Sequence, residues 1–135
     1  MNDVVKNLIK KHHDFAEKQG FYLVSEEYSP EFGGTVCLKY QNDGISLMVS
    51  KSRDGLCYDV GPSVPENVNW YSVDILWNFL NKHDDYKKMK QNTGLSYIQD
   101  NYEEISLAFA DRQRELTLEK LHQLEISRSK KLFGS

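Results

Sequence analysis

Between Thr35 and Val60, apolar and polar residues alternate almost without a break. Val36, Leu38 and Tyr40 fall on one phase, and Thr35, Cys37 and Lys39 on the other. Ile45, Leu47 and Val49 repeat the pattern against Ser46, Met48 and Ser50. Leu56, Tyr58 and Val60 repeat it again against Cys57 and Asp59. A strand sends successive side chains to opposite faces, so this reads as three half-buried strands. Phe21 to Tyr28 predicts a strand ahead of them, with Phe21 and Leu23 on one face and Tyr22, Val24, Glu26 and Tyr28 on the other. The joints are Phe32-Gly33-Gly34, Asn42-Asp43-Gly44 and Arg53-Asp54-Gly55. Asn-Asp-Gly and Asp-Gly sequences tolerate positive φ and favour tight hairpins. The expectation is a four-stranded antiparallel meander with one greasy face and one open, mostly polar face.

Helical spacing appears on both sides of the strands. Val5, Leu8, Ile9, His12, Phe15 and Ala16 line one face of a helix from about Asp3 to Lys18, with Asn2 or Asp3 to cap it and Gly20 to end it. After the strands, the prolines of Gly61-Pro62-Ser63-Val64-Pro65-Glu66 predict a connecting loop. Asn69 is placed to cap a short helix carrying Val73, Leu76, Trp77 and Leu80. With Trp70, Trp77 and Phe79 close together, that helix is the expected lid over the greasy sheet face, together with the first helix.

Asn81 to Gly94 reads as an exposed polar connection. Ser96 and Gln99 match a capping box, and a long helix is expected after them, with Ile98, Tyr102, Ile105, Phe109 and Leu116 on one stripe. Past Arg112 the stripe shifts to Leu118, Leu121 and Leu124 beside dense charge, so this part projects, pairs with another chain or frays. Leu132-Phe133-Gly134-Ser135 reads as an unstructured end. The fold class expected is α+β: an N-terminal helix, a four-stranded meander, and C-terminal helices packed largely on one sheet face. Residues 1–110 would form the domain and 111–135 its charged helical extension.

Composition narrows this picture. The 135 residues are 39% hydrophobic, 12% aromatic and 27% charged, which suits one folded domain. A net charge of −3 argues against a dedicated nucleic-acid binder. Residues 1–110 hold 11 Lys/Arg against 16 Asp/Glu, while residues 111–135 hold 6 against 4. An acidic body suits a basic partner, although mild acidity is also ordinary in cytosolic proteins. No secretory leader and no apolar run of membrane-spanning length is visible, which predicts a cytoplasmic protein without a membrane partner. Cys37 and Cys57 sit on strands separated by a third, roughly 9–10 Å apart, too far for a disulfide.

Candidate chemistry is sparse. His12 and His13 point about 100° apart on a helix and do not readily share a metal. His83-Asp84-Asp85 has no second cluster with ligand spacing, and neither cysteine has a cation or helix start beside it. Glycine-rich phosphate loops and Gly-x-Ser-x-Gly are missing. A carboxylate pair among Asp54, Asp59 and Glu31 is conceivable, but no motif supports a small hydrolase. The expectation is a non-enzyme with no cofactor and no metal. The residues singled out for contact with a partner are Glu26, Glu27, Tyr28, Glu31, Arg53, Asp54 and Asp59, an acidic edge with an aromatic and a charged turn. A solvated, charge-protected edge strand is the rival explanation.

Residues 20–80 also resemble a group of small bacterial immunity proteins of toxin–immunity systems, including contact-dependent inhibition. The resemblance rests on Tyr28-Ser29-Pro30-Glu31-Phe32-Gly33-Gly34, Ser52-Arg53-Asp54-Gly55, Tyr58-Asp59-Val60-Gly61, and Trp70-Tyr71 leading into a helix. Gly34 stands where the group has asparagine, and Ser-Arg-Asp-Gly where Asp-Arg-Gly is common. The resemblance implies a cytoplasmic inhibitor that occludes a cognate toxin, often a basic nuclease. The alternatives are a non-catalytic adaptor or regulator acting through the C-terminal helix, or a small hydrolase.

Overall fold

A computed structural model of the chain describes residues 3–31, 34–53, 55–63, 69–89 and 94–133. The architecture is α+β, with antiparallel strands following one helix and preceding several others. The chain forms two compact units, residues 1–68 and 69–135.

The first unit contains α1 (Asp3–Lys18), β1 (Tyr22–Ser29), β2 (Thr35–Gln41), β3 (Ile45–Ser52) and β4 (Gly55–Pro62). The strands lie side by side in chain order, each antiparallel to the next. Register sets the core: Leu38 faces Val49, which faces Tyr58, and Tyr40 faces Leu47, which faces Val60. Directly opposed residues share a face, so these rows build one continuous buried layer. α1 lies against β1 and β2 and buries Val5, Leu8, His12, Phe15 and Ala16. On the other face, Ser50 sits between Cys37 and Cys57, and both thiols are free, as the strand order requires.

α1 ends in a Schellman motif. Phe21 N–H donates to the Ala16 carbonyl at 2.8 Å and Gly20 N–H to Glu17 at 3.3 Å. Gly20 adopts φ +71°, and the Phe21 ring packs against Phe15 with centroids 5.7 Å apart.

Three expectations for this unit change. First, β1 does not keep one phase. A bulge at Val24 separates the Leu23–Tyr40 pair from the Ser25–Lys39 pair, so Leu23, Glu26 and Tyr28 share the face of Tyr40, Leu38 and Val36. Second, the 42–44 turn does not use positive φ. The Asn42 side-chain oxygen accepts from Gly44 N–H at 3.1 Å and Ile45 N–H at 2.8 Å, and its amide nitrogen donates to the Gln19 carbonyl at 2.9 Å. An Asx turn thus replaces backbone strain and ties the hairpin to the end of α1. Third, β4 continues through Gly61 and Pro62, with Pro62 opposite Ile45, because a proline is tolerated where a ladder ends. Val64 to Val68 lie outside the described residues.

The second unit holds the two-residue strand β5 (Tyr71–Ser72), then α2 (Val73–Leu80), α3 (Leu95–Asp100), α4 (Tyr102–Ala108) and α5 (Arg114–Phe133). Asn69 does not cap α2. Ser72 takes that position, and its hydroxyl donates to the Asp74 carboxylate instead of capping the backbone. Nor do Ser96 and Gln99 form a capping box, since Gly94 precedes α3.

The expected long helix is interrupted at Asn101 and again between α4 and α5. Ala110-Asp111-Arg112-Gln113-Arg114-Glu115 offers almost nothing apolar to bury, so no packing holds that turn in helical line. After the break, Thr117, Leu121 and Leu124 are buried and α5 packs on α2, while Leu116 is 66% exposed.

Candidate interaction surface

β1 is the outer strand at one end of the sheet. It is also the most exposed strand: Tyr22 is 58% exposed, Val24 53%, Tyr28 42% and Leu23 36%. Glu26 and Glu27 are exposed as well, and they are neighbours in an extended strand. Glu26 therefore lies on the α1-facing side, opposite Leu38, and Glu27 on the open side, opposite Cys37. Neither carries an ion pair among the described residues. The edge presents large apolar groups along its length and one carboxylate on each face.

Tyr28 belongs to a second feature. Opposite it lies Val36, and opposite Val36 lies Lys51, so the three form one row across β1, β2 and β3. Where this row leaves the core, a cavity of about 370 Å³ is lined by Val4, Tyr28, Gly34, Val36, Lys51, Ser52 and Arg53. Gly34 adopts φ +87°, which favours glycine, and a β-carbon there would stand in ordinary contact with the Tyr28 hydroxyl at 3.4 Å. Among the described residues, the lining contains two cations and no carboxylate.

Of the residues singled out from the sequence, Tyr28 and Arg53 therefore meet at one cavity, and Glu26 and Glu27 lie on the same strand as Tyr28. Glu31 is exposed just beyond β1. Asp59 does not join them; it is half-buried on the open face of β4, opposite Met48. Asp54 lies outside the described residues, as do Phe32 and Gly33.

The histidine inside the first unit is fixed by its partners. His12 Nδ1 lies 2.9 Å from the Leu8 carbonyl, which can only accept, so Nδ1 carries the proton. Nε2 is then a lone-pair acceptor, and the Tyr58 hydroxyl donates to it at 2.6 Å. Burial holds His12 below its usual pKa despite the Leu8 bond, and nearby Lys11 adds to the effect. Burial also raises the Tyr58 hydroxyl above its usual value. Sequence reading places His12 on the apolar stripe but gives no sign of Tyr58, 46 residues away, as its partner.

Tyr40 is the contrasting case. Its hydroxyl is buried with no hydrogen-bond partner among the described residues. Burial and the Glu26 carboxylate both push its pKa up.

In the second unit the polar chemistry centres on Asp74. Tyr86 donates to Oδ2 at 2.7 Å, and Arg128 Nη1 reaches both carboxylate oxygens at 3.2 Å and the Ser72 hydroxyl at 2.9 Å. Burial opposes ionisation of Asp74, but the bonds from Ser72 and Tyr86 and the Arg128 charge outweigh it and hold the carboxyl below its usual range. Tyr86 is pushed up to about 12 by burial and by the Asp74 carboxylate it bonds. These contacts tie α5 to α2 and engage both carboxylate oxygens of Asp74. Asn78, fully buried, accepts from Lys87 N–H at 2.7 Å and pairs with His83 Nδ1 at 2.9 Å. His83 also packs edge-on to Trp77, 5.0 Å between centroids, so it is engaged in structure. No three His, Cys, Asp or Glu residues gather as a metal would need among the described residues.

A wider cleft of about 470 Å³ lies within this unit, lined by Phe79, Leu80, Lys82, Leu107, Thr117 and Lys120 among others. Lys82 is the only non-glycine residue with positive φ among those described, at +59°. It closes a Schellman motif on α2: Lys82 N–H donates to Phe79 at 3.0 Å and His83 N–H to Asn78 at 3.0 Å.

Comparison of the chain with family models, curated proteins and solved structures finds no match. No described helix is long and apolar enough to cross a membrane.

Proposed function

We propose that this is an immunity-type protein that binds a cognate bacterial toxin in the cytoplasm and neutralises it by occlusion, without catalysis and without a cofactor. The observation that carries the reading is the corner where Tyr28 and Arg53 share one cavity beside the exposed strand bearing Glu26 and Glu27. Tyrosine and arginine are, with tryptophan, the side chains most often found to dominate binding energy at interfaces, and Glu26 and Glu27 on the adjoining strand suit a basic toxin such as a nuclease. The resemblance of residues 20–80 to immunity proteins points the same way.

The adaptor reading draws on exposed apolar residues of α5, namely Leu116, Ile126 and Leu132. At about 100° per residue they lie roughly 80–160° apart around the helix and make no stripe. Scattered single apolar residues are ordinary surface.

The test is co-expression with the product of the adjacent upstream gene. Protection from its toxicity and a complex on gel filtration are expected, with both weakened by Tyr28→Ala and by Arg53→Glu. Full toxicity with no complex rejects the reading.

A further inference from the structure

The exposed edge of β1 is only partly protected, by the bulge at Val24 and by Glu26 on the α1-facing side. Natural edge strands are commonly short or carry lysine, proline or inward charge that blocks pairing with another chain. β1 has eight residues, no lysine and no proline, and four large apolar side chains in the open. Only the bulge at Val24 and the two glutamates set it apart from a bare pairing template.

The glutamates decide what can pair there. If a second copy paired antiparallel through its own β1 with Glu26 opposite Glu27, both copies would bring these residues to the two-fold axis. Four carboxylates would then lie within about two residues of one another, and like charges opposed across strands are destabilising. A strand with two consecutive basic residues would instead place one cation beside Glu26 on one face and the next beside Glu27 on the other. Apolar residues on either side of that basic pair would cover Tyr22, Leu23 and Tyr28.

We propose that β1 receives an extended basic segment of a partner protein, which joins the sheet as an additional strand through main-chain hydrogen bonds, with Glu26 and Glu27 selecting adjacent Lys or Arg residues. This rests on the protein-binding reading above and specifies its mode of docking. Main-chain bonding provides the attraction, and the two carboxylates disfavour self-pairing in the register that opposes them.

The probe is a synthetic peptide, acetyl-Thr-Val-Thr-Lys-Arg-Val-Thr-amide, titrated into the isotope-labelled full chain and followed by amide spectra and hydrogen exchange. Expected are shifts concentrated in residues 22–29 and 35–41, and slowed exchange of those β1 amides that face away from β2. The Glu26→Lys/Glu27→Lys double variant should bind at least about tenfold more weakly, which is about 1.4 kcal/mol. A peptide with Glu-Glu in place of Lys-Arg should not bind. Of two copies N-methylated at alternate residues, the one whose methyls face β1 should not bind, and the one whose methyls face away should bind. Shifts elsewhere, unchanged exchange of β1 amides, or equal binding of both N-methylated copies overturns the proposal, as does dimerisation of the protein through β1.

The two proposals can fail separately. A toxin complex of undiminished affinity in the double variant rejects strand addition and keeps neutralisation. Peptide binding at β1 without any toxin complex keeps the edge and rejects the function.

Discussion

Two tyrosines on the same sheet face should respond oppositely to loss of one oxygen atom. Tyr58 is buried and donates to His12 Nε2 at 2.6 Å. Tyr58→Phe keeps the ring but strands the imidazole lone pair, since Nδ1–H is committed to Leu8 and cannot substitute. A buried acceptor left unpaired costs about 1–3 kcal/mol. Tyr40 is equally buried, at 4% exposure, but its hydroxyl has no partner among the described residues. Tyr40→Phe removes a desolvated hydroxyl without breaking a bond, and should be neutral or stabilising by up to about 1 kcal/mol.

The assay is urea denaturation at pH 7.5 followed by far-UV circular dichroism, with amide exchange of β3 and β4 reporting on the first unit directly. With a central cost of about 2 kcal/mol and a denaturant slope of about 2 kcal/mol per molar, Tyr58→Phe should lower the midpoint by about 1 M. Tyr40→Phe should leave it unchanged or raise it. The reasoning is refuted if both variants lose stability by the same amount, because the hydroxyls would then contribute through packing alone. A second check is chemical: His12→Leu, with no acceptor, should erase most of the difference between Tyr58 and Phe at position 58 in a double-mutant cycle.

Acidification tests the same histidine. Its folded pKa is lowered, so the unfolded chain binds more protons below pH 6.5, and stability should fall as pH drops below 6.5 toward the folded value; unfolding midpoints at pH 7.5 and 5.5 should differ in wild type and much less in His12→Gln. Asp74 acts lower, because its folded pKa lies below 3.8, so its contribution should be lost as pH falls through that folded value, seen as acid unfolding of the second unit by Trp77 fluorescence. Arg128→Met removes the cation from Asp74; both groups keep partial exposure, so the cost should be about 2 kcal/mol, less than for a fully buried pair, measured by thermal denaturation. Lys82→Gly should stabilise by about 1 kcal/mol, because glycine relieves the left-handed conformation that Gly20 fills at the matching position of α1; a loss of stability would show that the lysine side chain is held by the cleft.

The strands and α1 were legible because their signals are local. Alternation over Thr35–Val60 and a helical stripe over Val5–Ala16 each specify a period and a face within a few residues. What failed to show depends on distant partners. The bulge at Val24 inserts one residue and shifts Glu26 and Tyr28 to the other face; no turn residue or glycine marks it. The interruption near Ala110 is marked only by missing apolar residues, a weak signal beside the strong helix formers around it. Asp74 and Arg128 are 54 residues apart, and each alone looks like a surface charge.

The candidate surface was half legible for the same reason. Tyr28 and Arg53 meet because Tyr28 pairs with Val36 and Val36 with Lys51, and that register follows once the hairpins are placed. Asp59, one of the charged residues singled out from the sequence, does not join them. In β4 it lies on the open face, while the Tyr28 row lies on the α1-facing side. Alternation predicts the open face for Asp59, but without the bulge it assigns the wrong partners to β1. The one-residue shift at Val24 also puts Glu26 and Tyr28 on one face and Glu27 on the other. That arrangement leaves a carboxylate on each side of the free edge, and it is what turns an exposed strand into one that selects an adjacent pair of cations.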